Sequence, residues 1–298
     1  IYNGNVGNWI KFANTLRLRL AMRISYVDQT KAETEAKAAI DHSIGLMTSV
    51  SDNAVLKQSV SFSFINEWWE AYESFNDFRM SATMDCYLKG LQDPRLAAYF
   101  KVAKKDGEYH GVRNGQTSRS QGTLSEAASS MNVGQASSIL WMDAAETYFL
   151  LAEAKLRLNL GDKTVKEYYE EGVKTSFSSK GASGAESYLD NDVNVPSISF
   201  IDPTNGRNTD VSRMVSNLTV KWDESVSDDK KLERIMVQKW IALFPDGQEA
   251  WSEMRRTGYP GIVTINTNAS GGEVATGELI SRLKFPTKEY SVIGENSQ

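Results

Sequence analysis

Cysteine, histidine, an excess of positive charge and long apolar runs are all scarce or missing in this chain of 298 residues. The single cysteine, Cys86, cannot form an internal disulfide, and between Asp85 and Tyr87 it reads as a packing residue. Cysteine usage therefore does not fix the compartment. The two histidines, His42 and His110, are distant in sequence, and neither has a Cys/His/Glu set at ligand spacing. That argues against a zinc site. Lys and Arg total 33 against 38 Asp and Glu, interspersed, for a net charge of −5. A nucleic-acid or anionic-membrane surface would need a basic excess. No apolar run approaches the roughly 20 residues of a membrane-spanning helix.

Catalytic signatures are absent too. No GxSxG elbow, P-loop or dinucleotide fingerprint appears. Glu249 and Glu253 share one helix face, but their ordinary roles are helix stabilisation and an i,i+3 pair with Arg256. Asp190, Asp192 and Asn194 begin like a calcium loop. Val195 stands where such a loop needs Gly, and Ile201 where it needs the bidentate acid. This excludes an EF-hand and leaves only an opportunistic loop-bound cation. No cofactor and no metal centre is expected.

What is present is apolar and helical. Forty-one per cent of residues are apolar and 10% aromatic, enough for a sizeable core. The stretch 233–260, ERIMVQKWIALFPDGQEAWSEMRRTGYP, organises the rest. Ile235, Met236, Val237, Trp240, Ile241, Leu243 and Phe244 make its first helix apolar nearly all round, the pattern of a core element. Pro245-Asp246-Gly247 forces a turn, and a second helix runs to Gly258-Tyr259-Pro260. Ser225 or Ser227 caps the first of these helices.

Earlier in the chain, residues 8–28 read as a helix capped by Asn8, with Trp9, Phe12, Ala13, Leu16, Leu20 and Ile24 as its apolar face. A partner helix over 31–47 turns Ala32, Ala36, Ala39, Ile40 and Ile44 inward. A second pair spans 141–160 and 163–177 around a Gly161-Asp162 turn, alternating small and bulky residues in the tetratricopeptide manner. Asp93 caps a short helix with Pro94 at its first position. Leu218, Val220 and Trp222 alternate as a short strand would. Residues 101–140 show no clear period and read as a long loop. The fold class is all-α: tetratricopeptide-like hairpins, long irregular loops and at most a short β-hairpin, in one domain over 1–298.

Aromatic residues supply the remaining functional material. Sugar rings stack on exposed Trp or Tyr while Asn, Gln and Arg bond their hydroxyls. Trp9, Phe149, Trp240, Phe244 and Trp251 are assigned to the core. Trp68 and Trp69 are about 100° apart on a helix, so at least one faces away from the core. With Tyr109, His110 and Arg113 on the loop above them, they form the candidate ligand site, and Trp222 is an alternative contact.

The segments WIKFANTLRLRLAMRIS (9–25), DPRLAAYF (93–100), the hairpin 144–176, QKWIALFPDGQEAWSEMRRTGYP (238–260) and RLKFPTKEY (282–290) resemble signature stretches of the SusD/RagB family. These are nutrient-capturing surface lipoproteins of Bacteroidetes. The resemblance implies a lipid-anchored protein on the outer membrane, facing outward and docked on a SusC-like TonB-dependent transporter. It implies non-catalytic binding of an oligo- or polysaccharide, or of peptide in RagB-type members. A tetratricopeptide scaffold for a protein partner and a glycoside hydrolase are the competing classes. The chain opens on Ile1 with no signal or lipid-accepting Cys, and the resemblance implies a C-terminal portion of a longer polypeptide.

Overall fold

A computed structural model describes residues 1–115, 119–286 and 288–289. Residues Thr287 and Tyr290 of the last family-like stretch, and 116–118 of the long loop, lie outside the described residues. In chain order the helices are α1 (Val6–Ile24), α2 (Gln29–Ile40), α3 (Glu67–Trp69), α4 (Ala82–Gly90), α5 (Arg95–Tyr99), α6 (Gln121–Ala127), α7 (Ala144–Leu158), α8 (Val165–Lys180), α9 (Ala185–Leu189), α10 (Asp228–Leu243) and α11 (Gly247–Thr257). Two small antiparallel sheets accompany the helices. Strand β1 (Ala54–Leu56) pairs with β2 (Ile139–Met142), and β3 (Ser199–Ile201) with β4 (Asn208–Asp210).

Two helical hairpins, α1/α2 and α7/α8, frame the molecule, and α10 packs against the second. In α7/α8 the close approach comes from Gly172, where a Cβ would sit 2.8 Å from the Phe149 ring. The Tyr168 hydroxyl closes the turn by donating to Asp162 Oδ1 at 2.7 Å. Thr164 and Glu167 form a reciprocal capping box that starts α8. The second hairpin begins later than the periodicity suggests. Residues 139–142 join β1 as a strand, and Asp143 caps α7 by accepting from the Ala145 amide at 3.0 Å.

The first hairpin departs further from expectation. Asn5, not Asn8, caps α1, accepting from the Asn8 amide at 3.0 Å. Its buried face is Asn14, Thr15, Leu18, Ala21 and Met22, whereas Trp9 is 43% and Leu20 55% exposed. The cause is polar. Thr15 Oγ1 accepts from the Met47 amide at 3.0 Å and Arg19 reaches a buried carboxylate, so that side turns inward. Helix α2 keeps Ala32, Ala36 and Ala39 fully buried but ends at Ile40, leaving Ile44 exposed beyond it.

The expected strand over 218–222 does not form. The Lys221 amide donates to Asn191 O at 3.0 Å, and Val220 O accepts from the Tyr169 hydroxyl at 2.6 Å. Helix α10 is capped by Ser227 and buried along most of its length, as its apolar pattern requires.

Charged groups also line this interior. Arg19 (α1) pairs with Glu146 (α7), its Nε 2.9 Å from Oε1. Lys239 (α10), 1% exposed, donates to Glu253 (α11) at 2.9 Å and lies 3.7 Å from Glu146. Arg256 joins Glu253 at 2.6 Å to Glu153 of α7 at 2.5 Å, and Arg157 adds a further bond to Glu153 at 3.1 Å. Arg23 holds Glu249 at 2.5 Å. The expected Glu253–Arg256 pair is therefore one link of a network that ties α1, α7, α10 and α11 together. A second buried centre joins Arg95 to Asp93, Ser176 and Gln238, with the guanidinium 4.9 Å from the Phe177 ring centroid. Asp93 also accepts from the Arg95 amide at 2.9 Å, while α5 itself starts at Arg95, so Pro94 stands just before the helix rather than as its first residue.

Burial would raise the Glu253 carboxyl pKa, but Lys239 and Arg256 outweigh it and hold it well below the usual carboxylate range. The pairing contributes in full above about 4.5, the ordinary value. As pH falls below that, the unfolded chain takes up a proton that the folded chain resists, and stability declines. Glu253→Gln, which takes the nearer carboxylate from Lys239 and one of two from Arg256, is expected to cost about 3 kcal/mol at neutral pH and to flatten the acid slope. Urea denaturation at neutral pH and at pH values below the carboxylate range measures both. Burial, then Asp85, pushes the Cys86 thiol up to about 12. Alkylation of Cys86 in mildly alkaline buffer is expected only at the rate of unfolding, which mass spectrometry of timed aliquots reads.

Candidate functional site

The aromatic segment after β1 is held by one side chain. Asn66, 1% exposed, accepts through Oδ1 from the amides of Trp68 (2.9 Å) and Trp69 (3.2 Å). Its Nδ2 donates to Ser137 O at 3.1 Å, which ties the segment to the strand β2 side. The short α3 then widens into a π-helical turn over Glu70–Ser74, a distortion that recurs at functional sites. Trp68 and Trp69 consequently part. Trp69 turns in against Tyr72, Met131 and Val133, and Trp68 remains 36% exposed.

Beyond the π turn, Phe75 and Phe78 are 57% and 53% exposed. Asn76 takes a left-handed conformation with φ 56°, which lets the chain double back. Arg79 fastens this bend. Its guanidinium donates to Phe78 O (2.5 Å), Asn76 Oδ1 (2.8 Å) and Tyr72 O (3.2 Å). Its Nε is buried without a partner, and burial lowers its pKa.

Arg79 borders two cavities. One, of about 390 Å³, lies among Asn76, Asp77, Phe78, Arg113 and Gln121. The other, of about 260 Å³, is walled by Trp68 and Ala250 and floored by Met84, Phe100, Trp240 and Phe244. Gln121 bonds Phe75 O at 2.5 Å and Asp77 Oδ1 at 3.0 Å, so α6 supports the same bend. A larger cavity of about 690 Å³ between α2 and the α7–α8 turn is lined by Tyr148 and Tyr168, whose hydroxyls donate to Thr48 O at 2.9 Å and Asp162 Oδ1 at 2.7 Å, and Lys37 and Asp41 at its edge pair with each other.

Of the residues singled out from the sequence, Trp68 and Arg113 come to the two cavities that meet at Arg79. Arg113 is anchored by Nε donating to Thr264 O at 2.7 Å. Tyr109 packs half-buried on the main core, and its carbonyl accepts from Lys89 at 3.0 Å. His110 Nε2 lies 2.9 Å from Asp106 Oδ2. Neither lines either cavity. Gly111 pins this strand of the loop against α4, where a Cβ would meet Ser81 O at 2.5 Å. Trp222 is a correction: only 8% exposed, it packs on Tyr169, with Arg234 over its ring, as part of the core. Trp240 and Phe244 do join the core but are half-buried and form the floor of the smaller cavity. Trp251 is half-buried, with Arg255 over its ring and its indole N–H on Ile280 O at 3.2 Å.

Phe75, Phe78 and Arg79 were not singled out from the sequence. Their signal is the run FNDFRM (75–80), where two aromatics flank turn-forming Asn-Asp immediately after an aromatic-dense helix.

Glu249 and Glu253 are buried in ion pairs. Among the described residues no group of three His, Cys, Asp or Glu is placed to hold a metal ion. At the loop considered for a cation, Asp192 pairs with Lys221 at 3.2 Å, and Asn191 Oδ1 accepts from the Val193 and Asn194 amides. No helix among the described residues is long and apolar enough to cross a membrane.

The SusD-like family model, described as "Susd and RagB outer membrane lipoprotein", matches residues 1–298. The chain belongs to the SusD-like family. Among solved structures, this SusD-like chain is similar to a chitin-binding SusD homologue from Flavobacterium johnsoniae, with 40% identity and a TM-score of 0.90 over 97% of this chain and 59% of that one. A SusD homologue from Bacteroides uniformis follows at 38% identity and TM-score 0.89, over 99% and 62%. One from Bacteroides thetaiotaomicron stands at 37% and 0.88, over 100% and 60%. The SusD-like chain thus spans about 60% of the length of these solved relatives. No curated protein matches. The helical hairpins and long loops read from the sequence agree with the fold of these relatives.

Because Trp69 is packed and Trp68 is at the rim, their replacement should differ. Trp69→Ala is expected to cost about 2 kcal/mol and Trp68→Ala less than about 1 kcal/mol, as urea midpoints will read.

Proposed function

We propose that this protein binds an oligo- or polysaccharide at the bacterial surface without cleaving it. The observation that carries the reading is the pair of exposed aromatic faces, Trp68 and Phe78, on the two cavities at Arg79, with exposed Phe75 on the same bend. Flat apolar rings stack on the CH faces of sugars, and the amide and carboxylate groups of Asn76, Asp77 and Gln121 suit hydroxyls. The glycan partner of the Flavobacterium johnsoniae homologue supports the same ligand class here and makes a β-linked polymer of N-acetylglucosamine the first to try. Binding without catalysis suits the site, since the buried carboxylates of α11 are committed to Arg and Lys. Family membership supports the remaining parts of the proposal: a lipid anchor at the outer membrane, outward orientation, and delivery of the glycan to a SusC-like TonB-dependent transporter.

Native gels cast with individual polysaccharides, together with calorimetry on peptides, test this reading. Retardation by a glycan is expected, weakened about tenfold or more when Trp68 and Phe78 are both replaced by Ala, on the usual scale of aromatic anchors. Retardation that survives the double replacement would move the site elsewhere. Peptide heat without a glycan shift would place the protein with the peptide-binding RagB type.

A further inference from the structure

The buried tyrosines of this protein bond their hydroxyls internally. Tyr87, Tyr99 and Tyr169 donate to the carbonyls of Gly261 (2.9 Å), Ile241 (2.9 Å) and Val220 (2.6 Å). Tyr2 and Tyr168 donate to oxygen as well, and Tyr188 accepts from Gln238. Tyr72 is the exception among the described residues. It is only 8% exposed and packs on Trp69 and Phe78, yet its hydroxyl has no hydrogen-bond partner there and keeps contact with solvent. A buried tyrosine ordinarily finds a partner for its O–H, so an open one points to a partner from outside. Burial, against the charge of Arg79, pushes the Tyr72 pKa up to about 12, which leaves the group a donor at neutral pH.

Tyr72 borders the cavity beneath Trp68, and Trp240 borders it too. Between Leu232 and Leu243, Trp240 is the one residue of α10 that is not buried. Its indole N–H also has no partner among the described residues and keeps contact with solvent. Asp246 and Ser81 lie on the same cavity. One Asp246 oxygen takes the Glu249 amide at 3.1 Å, and Ser81 Oγ takes the Met84 amide at 3.1 Å. The terminal nitrogens of Arg79 are committed to the bend. The space is about 260 Å³, below the roughly 300–1,000 Å³ of sites for drug-sized ligands, and suits one sugar ring.

We propose that this cavity takes one sugar residue of the bound glycan, and that Tyr72 and Trp240 donate hydrogen bonds to its oxygens. The assignment rests on the glycan-binding reading and deepens it. Stacking on Trp68 and Phe78 tolerates many sugars, whereas two fixed donors select for the oxygens they meet. Sugar hydroxyls, each a donor and an acceptor, can also answer the second Asp246 oxygen.

Tyr72→Phe removes the hydroxyl alone and tests this directly. Calorimetry with the glycan that retards the protein in native gels, a chito-oligosaccharide first, reads affinity, and urea denaturation reads stability. No bond within the protein is lost, so the urea midpoint is expected to stay at the wild-type value. Affinity is expected to fall about fivefold, the usual contribution of one hydrogen bond between neutral groups. Tyr99→Phe is the contrast: it loses the bond to Ile241 O, and its midpoint is expected to drop. Trp240→Phe, shown folded by circular dichroism, is expected to weaken the glycan by a similar factor. Wild-type affinity in either Tyr72→Phe or Trp240→Phe would overturn the assignment of that donor and leave glycan binding standing. A lowered midpoint in Tyr72→Phe would show its hydroxyl serving the fold and would overturn the assignment too. Failure of the wild-type protein to bind any polysaccharide would overturn the underlying reading and this one with it.

Discussion

The structure depends on a line of opposite charges buried where a core would ordinarily be apolar. Arg19, Arg23, Lys239 and Arg256 meet Glu146, Glu153, Glu249 and Glu253 across four helices. An isolated buried charge is costly, and a pair barely repays its desolvation unless the geometry is good. Here each carboxylate meets a bidentate guanidinium or shares a cation with another carboxylate, so no member is left alone. The network also specifies. Leucines could pack α10 on α7 in several registers, whereas Lys239 reaches both Glu146 and Glu253 in one.

That fixed register positions the candidate site. Helix α10 supplies Trp240 and leads directly to Phe244, and α11 supplies Ala250. The same two helices carry the charges on their other faces. One wall of the smaller cavity is thereby built from helices tied into the charge network. The opposite wall, Trp68 with Phe78 nearby, rides on a segment secured by Asn66 and Arg79.

Helix pairs, their turns and the α10–α11 stretch were legible because periodicity, capping residues and Gly or Pro breaks report local geometry. The inward face of α1 was misread since apolar spacing counted Trp9 and Leu20, while the burial of Arg19 and Thr15 depends on partners more than thirty residues away. Residues 139–142 and 218–222 exchanged strand and non-strand roles for the same reason: a strand exists only through its distant partner. Among the residues singled out, Trp68, chosen from an aromatic-dense helix, and Arg113, chosen from residue type and loop position, border the cavities. Tyr109 and His110 share those properties, yet their segment is drawn onto the core and onto Asp106, away from the cavities. Phe75, Phe78 and Arg79 escaped notice because the π turn that presents them has no single-residue signature.

The contrast between the two cavity walls has an evolutionary consequence. Residues between β1 and α4 lie outside the charge network, and of them only Met80 belongs to the main core, so the exposed ones can be exchanged without disturbing the helices. On the proposed reading, the aromatic loop can be rewritten for a different ligand while the α10–α11 wall keeps its place. The buried ions, which select no ligand themselves, would then be what makes the rest of the surface free to change.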